Sequence, residues 1–187
     1  YRGELTLKNV HAEGDMLVKN FGGTVHIEGG SYKRTKCFSD AQINQTPIVN
    51  EADGTITMEN VDVYAEMGSA LLNYGEKITI TGGTFTTKDD TYAAILVDTC
   101  WDRTDGKHSG ADDNSKKEAT VEINGATIEE SKRGIEVKDG KIIFKNGTFQ
   151  GNESDIYLQE NQNFDDVFDS SKYSGGPTWV KTTNTEP

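Results

Sequence analysis

The chain has 187 residues, of which 33% are hydrophobic, and carries a formal net charge of −12. The low hydrophobic content is typical of a disordered chain or of a repeat protein whose narrow core takes few residues per repeat. No cluster of lysine and arginine interrupts the acidity, so nucleic acid and an anionic membrane surface are unfavourable partners. No apolar run is long enough for a membrane span, and membrane insertion is not expected.

One β pattern recurs six times along the chain. In the instance at residues 55–58, Ile56 and Met58 fall on one face of a strand, and Thr55 and Thr57 fall on the other. A turn with Gly or Asn follows each such segment, and these residues tolerate a positive φ. The first core residues of the six instances are Leu5, Val25, Ile56, Ile78, Val121 and Ile142.

The intervals between these instances separate a regular repeat from two insertions. They are 20, 31, 22, 43 and 21 residues long. Three lie near 21, and the two long ones are one period plus extra residues, at about 33–46 and 98–118. A second apolar segment completes each instance, at residues 16–18, 47–49, 70–72, 94–97, 134–137 and 156–158.

Two further features predict how the repeats stack. Asn50 and Asn73 each close a second apolar segment, which indicates stacked asparagine side chains at a corner. After each Gly or Asn turn, one hydrophobic residue is expected to point back into the core. These residues are Tyr32, Val61, Phe85, Ile128 and Phe149.

The pattern predicts an all-β fold, a right-handed parallel β-helix of about six coils with two loop insertions. Strands this short bury a face only when coils stack and pair their backbones. The alternative is a β-sandwich, which predicts hairpin loops and no constant period. We expect the β-helix over residues 1–162, a cap with a short helix after Asn163 at 163–176, and a final strand or a linker toward a further domain at 177–187.

The repeats also resemble a known family. Residues 54–58 (Gly-Thr-Ile-Thr-Met), 78–85 (Ile-Thr-Ile-Thr-Gly-Gly-Thr-Phe) and 93–97 (Ala-Ala-Ile-Leu-Val) are similar to the pectate-lyase-like β-helix repeats of large bacterial surface proteins. The resemblance covers roughly residues 3–160. It implies an extracellular or cell-surface location, in a group that includes adhesins, stalk regions and polysaccharide-processing enzymes.

The second insertion is the candidate binding site, because long loops on a regular scaffold often carry function. Trp101 is expected to stack on a sugar, with Tyr74 and Tyr92 beside it in adjacent coils and with Asp102 and Arg103 as polar ligands. The alternative is that Trp101 anchors its own loop against the coil wall.

The same loop contains candidate metal ligands and one of the two cysteines. Asp98, Asp102 and Asp105 are candidate oxygen ligands for Ca²⁺, although their spacing matches no EF-hand and a solvated acidic loop is the alternative. Cys37 and Cys100 match no metal-binding spacing, and both a disulfide and two free thiols remain open.

These observations favour a non-enzymatic extracellular binding module of a bacterial surface protein. We expect an adhesin that recognises a glycan or a host surface protein, a monomer within a larger multidomain chain, with no required cofactor and with Ca²⁺ as an option. The first alternative is a polysaccharide lyase or glycoside hydrolase fragment acting on an acidic polysaccharide. It would use Asp89 and Asp90 as a carboxylate pair. The resemblance to polysaccharide lyases implies instead an arginine base near bound Ca²⁺, for which Arg103 and Arg133 are the candidates. The second alternative is a structural stalk.

Overall fold

The described part of the chain is built almost entirely of β-strands. A computed structural model describes residues 3–35, 46–98, 118–159, 162–168 and 177–181. Within these residues, no helix has the length and apolarity needed to cross a membrane. The elements are β1 (Glu4–Glu13), β2 (Val18–Phe21), β3 (Thr24–Arg34), β4 (Ile48–Ala65), β5 (Leu71–Thr87), β6 (Ala93–Val97), β7 (Thr120–Glu129), β8 (Arg133–Val137), β9 (Lys141–Gln150), β10 (Ser154–Leu158), α1 (Phe164–Val167) and β11 (Trp179–Lys181).

Every pairing between these strands is parallel, and the strands form one sheet. This arrangement contradicts the β-sandwich alternative, because hairpin-connected strands pair antiparallel. The register confirms all five predicted intervals. It pairs Leu5 with Val25, Val25 with Ile56, Ile56 with Ile78, Ile78 with Val121, and Val121 with Ile142.

The pairings fall into three ladders, which the chain visits in the same order in each repeat. The first ladder joins the alternating segments. The second ladder begins after the Gly or Asn turn, and the third joins the second apolar segments. The first ladder contains residues 4–8, 24–28, 55–59, 77–81, 120–124 and 141–146. The second ladder contains residues 10–13, 30–34, 61–65, 83–87, 126–129 and 147–150. The third ladder contains residues 18–21, 48–52, 71–75, 93–97, 133–137, 154–158 and 179–181.

One side of all three ladders forms a single hydrophobic core. Strand alternation sends every second residue to this side, and the register stacks equivalent residues from successive repeats on one another. In the first ladder Ile27, Met58, Ile80, Ile123 and Phe144 are in register and buried. A chain with 33% hydrophobic residues can fold because nearly all of its core positions lie in these stacks.

The corner between the first and second ladders has the predicted backbone. Asn9, Gly29, Asn60 and Gly82 all have a positive φ, between 50° and 73°. The hydrophobic residue predicted to point inward after this corner, Val61, is buried in the core. Val63, two residues after Val61, is in register with Tyr32 and Phe85, while Val61 is buried opposite Gly83.

Asparagine side chains on the third ladder are hydrogen-bonded to one another in a chain. The sequence predicted this stacking for Asn50 and Asn73. Asn20 Nδ2 donates to Asn50 Oδ1 at 2.9 Å, and Asn50 Nδ2 donates to Asn73 Oδ1 at 3.0 Å. Asn73 Nδ2 then donates to the carbonyl of Thr120 at 3.0 Å. The chain of amides stops there because Val97 is the next residue in register.

Helix α1 packs against the last strand of the first ladder. Phe168, which follows α1, is buried, bridges to Ile142 and lies 5.7 Å from the ring centroid of Phe144. Asn163 precedes the helix, but its side chain does not cap the backbone. Its amide donates instead to the carboxylate of Asp166 at 3.0 Å.

Candidate functional site

The outer side of the third ladder is unusual because it is also buried. Ile48, Leu71 and Ile95 point to the main core, so alternation sends their neighbours to the opposite side. These neighbours are Val49, Leu72 and Leu96, which form a second hydrophobic cluster. Tyr74 packs against that cluster.

Two buried glutamates flank this second cluster, and each has a cationic partner. Glu51 is fully buried, and its carboxylate lies 2.9 Å from the ammonium of Lys19. Glu136 is in register with Leu96 and is also buried. It accepts one hydrogen bond from Arg133 and one from Gln159, each at 3.2 Å. A buried charge needs such partners to offset its lost hydration.

Tyr74 lies within the electrostatic reach of several of these groups. Its pKa is raised to about 12, mainly by burial and also by the negative charges of Asp98, Glu51 and Glu136 and by the phenol of Tyr92. The phenol therefore keeps its proton throughout the physiological range and can act as a hydrogen-bond donor.

The structure brings together those predicted site residues that it describes. Tyr74 is in register with Glu51. Asp98 follows β6, and its backbone N–H donates to the carbonyl of Asn73 at 3.0 Å. Tyr92 lies in the turn just before β6. Glu51, Asp98 and Tyr92 therefore come from separate segments, and each raises the pKa of Tyr74. The remaining predicted residues, Trp101, Asp102, Arg103 and Asp105, lie outside the described residues, as do Cys37 and Cys100.

Sequence reasoning missed Glu51 and Glu136. Both stand in short apolar segments, Glu51 two residues after Val49 and Glu136 between Ile135 and Val137. A charge at the outward position of a buried strand was the available signal. It was not decisive, because an outward position is ordinarily solvated.

The predicted Ca²⁺ site rests mainly on residues beyond the described ranges. Of its three carboxylates, only Asp98 is described. Among the residues that the structure describes, no group of three His, Cys, Asp or Glu side chains is placed to hold a metal ion.

Asp89 and Arg133, two of the residues considered for catalysis, make local contacts, whereas Arg103 lies outside the described residues. The carboxylate of Asp89 accepts the backbone N–H groups of Gly68 at 2.8 Å and Thr91 at 2.9 Å, as in a turn. The guanidinium of Arg133 lies 4.0 Å from the ring centroid of Tyr157 while it binds Glu136. These contacts account for both side chains without a catalytic role.

No family model, curated protein or solved structure matches the sequence. The resemblance to pectate-lyase-like repeats therefore stays a prediction. What can be said of function comes from the geometry of this chain.

Proposed function

We propose that the chain is a non-enzymatic binding module of an extracellular bacterial surface protein, and that it recognises a glycan. The observation that carries this proposal is the gathering of Tyr74, Tyr92, Asp98, Glu51 and Glu136 on the outer side of the third ladder. Pectate-lyase-like repeats, the resemblance stated above, agree with this reading.

The scaffold of this module is best explained as a right-handed parallel β-helix. Its three ladders are parallel, and the chain passes through them in the same order in each repeat. A coil that returns to the same ladder one step further on produces this pattern. Crossover connections between parallel strands are right-handed in the great majority of proteins.

The chemistry of the site suits a polyol. A sugar hydroxyl both donates and accepts hydrogen bonds, so it needs both kinds of partner. Partly exposed Asp98 offers acceptor oxygens, and the neutral phenol of Tyr74 offers a donor, while buried Glu51 and Glu136 hold the surrounding strands through their own partners. Tyrosine rings add an apolar surface for the C–H face of a sugar.

Glycoside hydrolysis fits the same residues less well. It requires one carboxylic acid that donates a proton and a second carboxylate that acts as base or nucleophile. Glu51 faces the ammonium of Lys19, and Glu136 accepts hydrogen bonds from Arg133 and Gln159. Both carboxylates are therefore already engaged by local partners, and both are buried away from an incoming substrate.

A glycan array, probed with and without Ca²⁺, tests the proposal on the full chain. We expect binding to at least one glycan, and a loss of roughly tenfold or more in Tyr92→Ala and Trp101→Ala, because each removes an aromatic surface. Leu5→Ala, an exposed change on the first ladder, is the matched control and should bind as the wild type does. Absence of glycan binding by the wild type, or turnover of a polyuronic acid, would overturn the proposal.

A further inference from the structure

A separate open groove lies on the outer side of the second ladder. It encloses about 300 Å³, near the lower end of the range for small-molecule sites, roughly 300 to 1,000 Å³. We propose that this groove binds a neutral pyranose saccharide, independently of the third-ladder site. The outward side chains that line it are Ser31, Lys33, Asp62, Tyr64, Thr84 and Thr86.

The register explains the shape of the groove. It places Ser31, Asp62 and Thr84 in one row across three neighbouring strands, and Lys33, Tyr64 and Thr86 in the next row. Three strands span about 10 Å, which is two intervals of roughly 4.8 Å. Tyr64 is the one large ring in these rows, and the small side chains beside it leave the depression.

The backbone beneath the groove is held by the core. The residues between the two rows are Tyr32, Val63 and Phe85, which point inward and are buried. Outward side chains on such strands keep their relative positions with little loss of backbone entropy on binding. This preorganisation favours binding of a small ligand.

The side chains of the groove match an uncharged sugar. The half-exposed ring of Tyr64 offers a flat apolar surface, and the exposed carboxylate of Asp62 accepts hydrogen bonds from hydroxyls. The hydroxyls of Ser31 and Thr84 both donate and accept, and the ammonium of Lys33, 5.3 Å from the Tyr64 ring centroid, donates only.

Charge decides between neutral and acidic saccharides. The exposed carboxylate of Asp62 lies on the middle of the three strands, and the whole chain carries a formal net charge of −12. A uronic acid would bring a further negative charge to Asp62, with only Lys33 to offset it among the lining residues. A neutral pyranose avoids that repulsion and can still hydrogen-bond to Asp62 and Lys33, while the Ser31 hydroxyl also bonds to His11 at 2.8 Å.

Saturation-transfer NMR and calorimetry with maltose, cellobiose, lactose and digalacturonate test this assignment. We expect at least one neutral disaccharide to bind the wild type, and digalacturonate to bind more weakly. Tyr64→Ala should weaken binding roughly tenfold, whereas Tyr64→Phe, which keeps the ring, should stay within about threefold. Asp62→Asn should weaken it several-fold, because the amide replaces one acceptor oxygen by a donor.

Controls separate this site from the one on the third ladder. Tyr92→Ala should leave disaccharide binding in the groove unchanged, and Tyr64→Ala should keep the unfolding midpoint close to that of the wild type, since its ring lies on the outer side. Three outcomes would overturn the assignment. They are no binding of any neutral disaccharide, unchanged binding in folded Tyr64→Ala, or stronger binding of digalacturonate.

Discussion

The outer sides of the second and third ladders differ sharply although the same repeat builds both. On the third ladder, Val49, Leu72 and Leu96 are buried together with Glu51 and Glu136. On the second ladder, the outer residues form an open groove. The inward positions of both ladders are mostly apolar, with buried polar residues such as Asn50 and Asn73 on the third ladder and Arg34 on the second. The comparison teaches that stacking constrains the core side of each strand and leaves the outer side free to acquire separate chemistry.

The largest effect is expected at the corner between the first and second ladders, where the backbone has a positive φ. Gly83 begins the second-ladder part of β5, has a φ of 86°, and would place a Cβ 2.1 Å from the carbonyl oxygen of Val61. Gly83→Ala should lower the free energy of unfolding by about 3 kcal/mol or more, because a positive φ alone costs roughly 1–2 kcal/mol and the clash adds to it. Urea unfolding measures this change.

Gly125 provides the control for that experiment, since it lies at the same corner. Its φ is 91°, but the nearest atom to an added Cβ is 3.7 Å away. Gly125→Ala should therefore cost about 1–2 kcal/mol, the conformational part alone. Equal losses of unfolding free energy in Gly83→Ala and Gly125→Ala would show that the close approach to the Val61 carbonyl adds no cost at this corner.

A smaller effect on stability is expected when buried Glu51, on the outer side of the third ladder, loses its cationic partner. Lys19→Met removes the ammonium that lies 2.9 Å from fully buried Glu51, and should destabilise the protein by about 2 kcal/mol. The matched variant is Lys8→Met, whose partner Glu28 is exposed, and it should change stability by less than about 1 kcal/mol. If both variants lose the same small amount, Glu51 does not depend on Lys19.

The smallest effect at neutral pH concerns Tyr74, whose pKa is raised to about 12 from an ordinary 10.0, mainly by burial. The folded state therefore holds this proton more tightly than the unfolded state. Its contribution to stability is complete below pH 10 and is lost as the pH rises toward 12. Unfolding of wild type and Tyr74→Phe should diverge only in that window, with the wild type losing stability faster. Parallel pH profiles for the two proteins would contradict the shift.

Much of the scaffold was predictable because its causes are local or periodic. The spacing of Ile56, Ile78 and their equivalents matched the register in every repeat, and Asn50 and Asn73 identified the chain of amides. Its first member, Asn20, was missed because Lys19 separates it from the apolar segment 16–18, whereas Asn50 and Asn73 directly follow their segments. Val61 was correctly predicted to point inward, whereas Val63, which is in register with Tyr32 and Phe85, was not singled out.

The candidate sites were predictable only in part. Tyr74, Tyr92 and Asp98 were chosen from the sequence, whereas Glu51, Glu136 and the groove around Tyr64 were not. Outward residues obey no apolar period, so nothing in the pattern distinguishes a solvated tyrosine from one that lines a groove. The neighbours of such a residue come from other repeats, 22 to 43 residues away.

The sequence by itself determined the repeat, its two insertions and the residues that face the core. Alternation and turn chemistry act over a few residues, and these are visible without the fold. Only the tertiary structure decided which outward side chains meet. Register between repeats places Glu51 beside Tyr74, and it aligns Lys33, Tyr64 and Thr86 in one row. Those placements depend on the stacking of whole repeats, and stacking is a long-range property that no local pattern encodes.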